Sequence, residues 1–382
     1  MSSNTLNLAF IGGAIESAVG TTHKISSQMD GRWRLVSGCF STDKKSNART
    51  AESWGVNPDR LYDSWHDLLL SEKDKIDAVV VLTPTPSHAE IVCSALQQGY
   101  PVICEKALAV SSADAKKIRQ TVEEHHGYLA VTYNYTGYTM LRELQKIIQK
   151  GTLGKLNQIH IEMPQEGFAR IGKNNSLPSP QEWRLTDNEI PTTSLDLGVH
   201  LHHIISFFSD AKPIEVVAIN NNFGLIEDIV DNTMCIARYT DNLDCQIWFG
   251  KTAFGHSNGL RVRVYGTKGS AEWFQMRPEE ILLHDNKGHK QIIERSSVDV
   301  ELADELRYNR FKAGHPAGFI EAFANHYYDL ADSLIEFKQT GKTTSPWVFG
   351  ADIAEEGLQM LEAIARSAAK KTWEPVGEIA SL

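Results

Sequence analysis

Three clusters of residues carry the side chains that chemistry needs. Glu105 and Lys106 stand side by side after the apolar run Val102-Ile103-Cys104, an acid and an amine at a strand's carboxyl end. Asp196 and His200 stand four apart in Ser194-Leu195-Asp196-Leu197-Gly198-Val199-His200, and share one face if that stretch is helical. Leu82-Thr83-Pro84-Thr85-Pro86-Ser87-His88 follows a β-branched run and caps a helix. Lysine, carboxylate and imidazole are the groups that hold and move protons. A fourth segment, Ala9-Phe10-Ile11-Gly12-Gly13-Ala14-Ile15-Glu16-Ser17, lies where a first strand gives way to a first helix. In the dinucleotide fingerprint three glycines allow a tight turn, close approach of the pyrophosphate and close helix packing. The three positions here hold Gly12, Ala14 and Ser17, with Gly13 adding flexibility. The helix N-terminus behind them supplies free N–H groups and a partial positive charge.

The end of the second strand normally reads the adenosine ribose, an acid favouring NAD and a basic pair NADP. The segment is Cys39-Phe40-Ser41-Thr42-Asp43-Lys44-Lys45. Phe40 stands at the expected acid position, and Ser41 can bond a ribose hydroxyl or a phosphate. Asp43 and Lys44-Lys45 point in opposite directions, so both cofactors stay open.

The elements that position these residues change in character along the chain. Strand signals at 6–11, 33–40, 78–82, 101–104 and 128–132 alternate with helix signals at 15–29, 47–54, 64–70, 88–98 and 112–125. That alternation predicts βαβ units and a parallel sheet, with ligand sites at the strands' carboxyl ends. Beyond Tyr133 a helix over 140–150 is followed by runs of strands joined by tight turns such as Gly266-Thr267-Lys268-Gly269. This predicts an antiparallel sheet in an α+β domain. Helical patterns over 319–338 and 349–371 close the chain. The expected division is a dinucleotide-binding domain at 1–133 and a substrate-binding and oligomerisation domain at 134–382.

The chain has 382 residues and a net charge of −10. Residues 1–133 hold 13 Lys+Arg against 15 Asp+Glu, and the remainder 25 against 33. No concentrated basic face is expected, which argues against nucleic acid or an anionic membrane as partner. The near-neutral first part can still hold an anionic dinucleotide through backbone N–H groups. No apolar stretch approaches the roughly 20 residues of a membrane helix. The start, MSSNTLNLAFIGG, lacks the pattern of a signal peptide. The five cysteines show no CxxC spacing, and reduced thiols in the cytoplasm are the expectation.

Taken in order, the Gly12-Gly13 turn, the Thr83-Pro84-Thr85-Pro86-Ser87-His88 segment, Glu105-Lys106, Tyr133-Asn134-Tyr135 and Asp196/His200 resemble the glucose–fructose oxidoreductase / inositol dehydrogenase / MocA family. Gly314-His315-Pro316 before a helix is typical of one branch. The resemblance spans nearly the whole chain. It implies an N-terminal Rossmann domain and a C-terminal domain on a large, mainly antiparallel open sheet, which in the family is the usual interface of homodimers and homotetramers. It further implies hydride transfer between NAD(P), with a lean to NAD, and a secondary alcohol of a sugar or cyclitol. Cofactor contacts would come from Gly12, Gly13, Ala14, Ile15, Ser41, Thr83, Pro84, Thr85, His88, Glu105, Lys106 and Asn134. Substrate contacts would come from Lys106, Tyr135, Arg184, Asp196, His200, His203 and His315. In the catalytic set His200 would accept the hydroxyl proton, Lys106 would bond the reacting oxygen, and Asp196 would orient the substrate or share the proton. Glu105 keeps Lys106 placed. Asp196, His200 and His203 could share a helical face and hold zinc, but no HExxH arrangement occurs and hydride chemistry needs no metal, so none is expected. Two departures stand out: the family's Glu-Lys-Pro is Glu105-Lys106-Ala107, and the phosphate loop is poor in glycine. They keep a non-catalytic NAD(P)-binding regulator as an alternative, and the resemblance, whose relatives include enzymes with a tightly held cofactor, keeps a cofactor-retaining lyase or hydrolase as another.

Overall fold

The computed structural model describes residues 5–377. β1 (Leu6–Gly12), β2 (Trp33–Cys39), β3 (Ala78–Leu82), β4 (Val102–Cys104) and β5 (Leu129–Val131) alternate with five helices. These are α1 (Ala18–Gln28), α2 (Lys44–Trp54), α3 (Trp65–Ser71), α4 (His88–Gln97) and α5 (Ser112–Glu124). The five strands are parallel and ordered β2-β1-β3-β4-β5. All five residues of β3 are buried, as a strand covered on both faces must be. The strand order reverses between β1 and β3, and the crevice at their carboxyl ends is where such a sheet takes a ligand. Side-chain caps set the helix starts. Ser17 accepts from the Gly20 N–H, so α1 begins at Ala18 rather than at 15. Asp43 accepts from the Ser46 N–H, so α2 begins three residues before Asn47.

The chain continues through α6 (Thr139–Gln149), β6 (Leu156–Pro164), a π-helical turn at Ser194–Gly198 and α7 (Val199–Phe208). Then come β7 (Pro213–Asn221), β8 (Asn232–Tyr239), β9 (Leu243–Gly250), β10 (Arg261–Gly266), β11 (Gly269–Phe274), β12 (Glu280–Asp285) and β13 (Lys290–Glu294). Helices α8 (Phe319–Thr340) and α9 (Ala351–Lys370) and the short β14 (Glu374–Pro375) end it. The second sheet runs β13-β12-β11-β10-β6-β9-β8-β7-β14. Every pairing is antiparallel except β6 with β9. Its strands alternate: Thr233, Cys235, Ala237 and Tyr239 of β8 are buried, while Met234, Ile236 and Arg238 are exposed.

The chain forms two compact units. The first takes the chain up to Gly137 together with Phe319–Glu355, and the second takes Tyr138–Gly318 together with the chain from Glu356. The segment Phe319–Glu355, placed beyond the linear boundary at 133/134, thus belongs to the first unit. The reason is the apolar stripe of α8. Phe323, Tyr327, Leu330, Ala331 and Leu334 enter the same core cluster as Phe10, Trp33 and Val80, and the Trp33 indole N–H donates to the Tyr327 carbonyl at 2.8 Å.

Candidate functional site

In the first unit the phosphate loop is built on backbone that only glycine adopts easily. Gly12 and Gly13 have φ of +84° and +73°. A Cβ on Gly12 would lie 2.8 Å from the Leu82 carbonyl carbon and the Thr83 nitrogen. The loop therefore rests directly on the exit of β3. The third small position is not Ser17 but Gly20, whose Cβ would lie 1.9 Å from the Gly13 carbonyl oxygen. Ser17 instead caps the helix. The loop is three residues longer than the fingerprint spacing, and the cap signal of Ser17 is what could have revealed it. The Ile15 N–H is committed to the Thr50 hydroxyl at 3.1 Å. Gly12, Gly13 and Ala14 line the turn itself.

At the end of β2, Phe40 is buried edge-on to Trp54, with ring centroids 5.4 Å apart. It fills core and reads no ribose. The Ser41 hydroxyl is half-buried and accepts from the Asp43 N–H at 3.1 Å. Asp43 is spent on capping α2, and Lys44 pairs with Asp63 at 2.8 Å. Glu16 of the phosphate loop is held by Arg49 and by the Ser46 hydroxyl.

Thr83, Pro84 and Thr85 leave β3 with Pro84 exposed and Thr85 buried. His88 is wholly buried and has a backbone carbonyl at each ring nitrogen: Ala107 at 2.9 Å from Nδ1 and Thr83 at 2.8 Å from Nε2. In its neutral form the ring has one N–H and donates to one of these carbonyls. Burial pushes its pKa down, against the pull of the two carbonyls and of Glu105. Glu105 is buried, and its N–H donates to the Val81 carbonyl at 3.0 Å. Lys106 is half-buried, and the Lys106–Ala107 peptide is cis. Beyond β5, Asn134 is buried with its Nδ2 unpartnered. Tyr135 is buried against Phe319, with centroids 5.8 Å apart.

In the second unit the π-helical turn carries Asp196 into α7. Such turns recur at functional positions because they re-aim side chains. Asp196 accepts from Arg184 at 2.9 Å and is also paired with Lys251, a residue the sequence reading missed. Lys251 follows β9, is buried, and lies 4.8 Å from the Phe168 ring centroid. Nothing in the local sequence marks it, because 55 residues separate it from its partner. Thr193 and Ser194, beside Asp196, bury hydroxyls without partners. His200 and His203 are buried on α7, whereas His202 meets Glu356 of α9 at 3.3 Å. Burial would raise the Glu356 carboxyl, but the hydrogen bonds from His202 and Lys212 outweigh it and hold the pKa low. His315 lies on an exposed loop, edge-on to Phe311, with its carbonyl accepting from Arg295. Among the described residues no group of three His, Cys, Asp or Glu side chains is arranged to hold a metal ion.

Residues 6–133 match the family model described as the oxidoreductase family with an NAD-binding Rossmann fold, and residues 141–272 match the Gfo/Idh/MocA C-terminal domain. The chain belongs to the Gfo/Idh/MocA oxidoreductase family. An uncharacterized oxidoreductase of Bacillus subtilis (strain 168) is 28% identical over 380 residues, covering 96% of this chain and 95% of its own. The myo-inositol 2-dehydrogenase of Thermotoga maritima is 23% identical over 245 residues, 63% of this chain and 67% of its own. Among solved structures, an inositol dehydrogenase homolog from Azotobacter vinelandii, complexed with NADH and myo-inositol, superposes with a TM-score of 0.88. It covers 98% of each chain at 24% identity. The first unit of this Gfo/Idh/MocA protein has room for the family's dinucleotide. The glycine cradle is filled by no Cβ, and the Asn134 amide is a buried donor with nothing to bond.

Proposed function

We propose that this chain is an NAD-dependent dehydrogenase for a secondary alcohol of a sugar or cyclitol. One observation carries the reading. The glycine cradle of a Gfo/Idh/MocA chain lies on the exit of β3, and Lys106 leaves the neighbouring strand β4 at the same carboxyl edge. The named relative that acts on myo-inositol supports the substrate class.

The nicotinamide, when bound, supplies the hydride acceptor. Gly12, Gly13 and Ala14 hold the pyrophosphate, and Asn134 donates its amide to the cofactor. Thr83, Pro84 and Thr85 flank it, with His88 fixing their loop. Lys106 donates a hydrogen bond to the reacting oxygen as charge develops there. His200 takes the hydroxyl proton, since imidazole exchanges protons near neutral pH. Asp196, its charge balanced by Arg184 and Lys251, orients neighbouring hydroxyls, with Tyr135, His203 and His315 completing the substrate contacts. Asp43 and Glu16 are both engaged in hydrogen bonds or ion pairs, and the lean to NAD rests on the match to the NAD-binding family model.

The assembly proposed is a homodimer or homotetramer through the open face of the second sheet. Met234, Ile236 and Ile219 are exposed there beside a groove lined by His160, Trp248 and Arg263. That groove is apolar and suits a second copy rather than a polyol. A cytoplasmic location is proposed from the five buried free cysteines. No described helix is long and apolar enough to cross a membrane.

The test is a screen of cyclitols, aldoses and nucleotide sugars with NAD and NADP, read at the reduced-nicotinamide absorbance band. Turnover of a polyol is the expected result. Cofactor retained through purification without net reduction would move the reading to a lyase. No cofactor binding at millimolar concentration would leave a regulator.

A further inference from the structure

His23 lies wholly buried on α1, the helix whose N-terminus forms the phosphate cradle. Its Nε2 is 2.8 Å from Glu105 Oε1, and its Nδ1 is 2.6 Å from the Tyr327 hydroxyl. Phe10 of β1 and Phe323 of α8 enclose the ring, with centroids at 6.3 and 4.9 Å. Glu105 and Tyr327 are the titratable groups hydrogen-bonded to the imidazole. Three elements distant in sequence thus meet at one side chain.

The proton positions follow from what each group can do. Burial, reinforced by the charge of Glu105, pushes the Tyr327 phenol well above its ordinary range, so it stays protonated. Its O–H donates to Nδ1. An imidazole that accepts at Nδ1 carries its proton on Nε2, and so donates to Glu105. A carboxyl group with only 11% of its side-chain surface exposed needs such a donor to offset the water it has lost. Glu105 in turn precedes Lys106, and on the other side of the lysine the Ala107 carbonyl meets His88 at 2.9 Å.

We propose that His23, set in its Nε2–H tautomer by Tyr327, is a positioning residue that holds Glu105 and thereby Lys106, joining the cofactor-binding helix to the lysine-bearing loop after β4. This rests on the dehydrogenase reading for its effect on turnover. The hydrogen-bond chain itself does not.

The first measurement is nitrogen-15 NMR of His23 at neutral pH, which needs no substrate. The expected spectrum shows a bare Nδ1 and a protonated Nε2, with Tyr327→Phe losing that preference. A doubly protonated ring, or an unchanged ring in Tyr327→Phe, overturns the proposal. The second is kinetic. His23→Leu removes the donor and leaves the buried carboxyl short of a partner, and activity is lost on acidification at a higher pH than in the wild type. Misplacing the lysine costs up to about 100-fold in kcat. His23→Gln, which keeps an amide donor, restores most of the rate and returns the acid limb. NADH affinity by fluorescence stays within about threefold, which separates positioning from loss of the cradle. A wild-type pH profile in His23→Leu, or equal loss in the Leu and Gln variants, overturns the proposal. If His23→Leu does not fold, Tyr327→Phe carries the same pH-profile test. Wild-type protein that fails to reduce NAD with every alcohol screened would defeat the dehydrogenase reading alone, and the NMR result would still decide the chain.

Discussion

Gly20 rests against Gly13 so closely that a Cβ on Gly20 would lie 1.9 Å from the Gly13 carbonyl oxygen. This contact, rather than the spacing of the loop residues, makes the cradle. Gly20→Ala should push α1 off the loop, destabilising the chain by about 1–3 kcal/mol. It should also weaken NADH binding. Thermal melts with and without NADH check both, and an unchanged NADH-induced rise in Tm would refute the role of this contact.

Lys251 should matter as much as Asp196. Removing it by Lys251→Met takes one cation from a largely buried carboxylate that also pairs with Arg184. Turnover of the true substrate should fall about tenfold or more while NADH affinity holds. Steady-state kinetics beside a fluorescence titration separate the two. Lys251→Arg should recover part of the loss.

Lys106→Ala and His200→Ala should each lower kcat about 100- to 10,000-fold, the usual worth of positioned proton-transfer groups. Both variants should keep the wild-type Tm within a few degrees. Near-full turnover in either would remove that residue from the mechanism.

Acid should weaken the fold partly through His88. Its folded pKa is depressed by burial below the ordinary 6.5. The unfolded chain therefore takes up a proton that the folded chain refuses. Stability is complete above the unfolded value and declines as pH falls below it toward the folded value, by at most about 1.4 kcal/mol per pH unit. Urea melts of His88→Gln between pH 7 and 5 should show a shallower slope than wild type. A parallel slope would show that His88 is protonated in the fold.

Met234→Glu with Ile236→Glu places two charges on the open sheet face. Sedimentation should show smaller particles with unchanged secondary structure. An unaltered oligomer would move the interface elsewhere.

The sequence by itself determined the local matters. The continuous run Ala78–Leu82 predicted a buried strand, and the alternation of strand and helix signals predicted a parallel sheet with its carboxyl edge at Gly12, Thr83 and Lys106. Those signals depend on near neighbours, and so survive without coordinates. Helix starts shifted by three residues because capping by Ser17 and Asp43 outranks helical periodicity. What required the tertiary structure was every relation between residues far apart in the chain. Asp196 meets Lys251 across 55 positions, and His23 meets Tyr327 across 304. The return of Phe319–Glu355 to the first unit, and the single parallel pairing of β6 with β9, belong to the same class. Such contacts are chosen by how apolar faces and buried charges find partners in the whole chain, and no local window contains that choice.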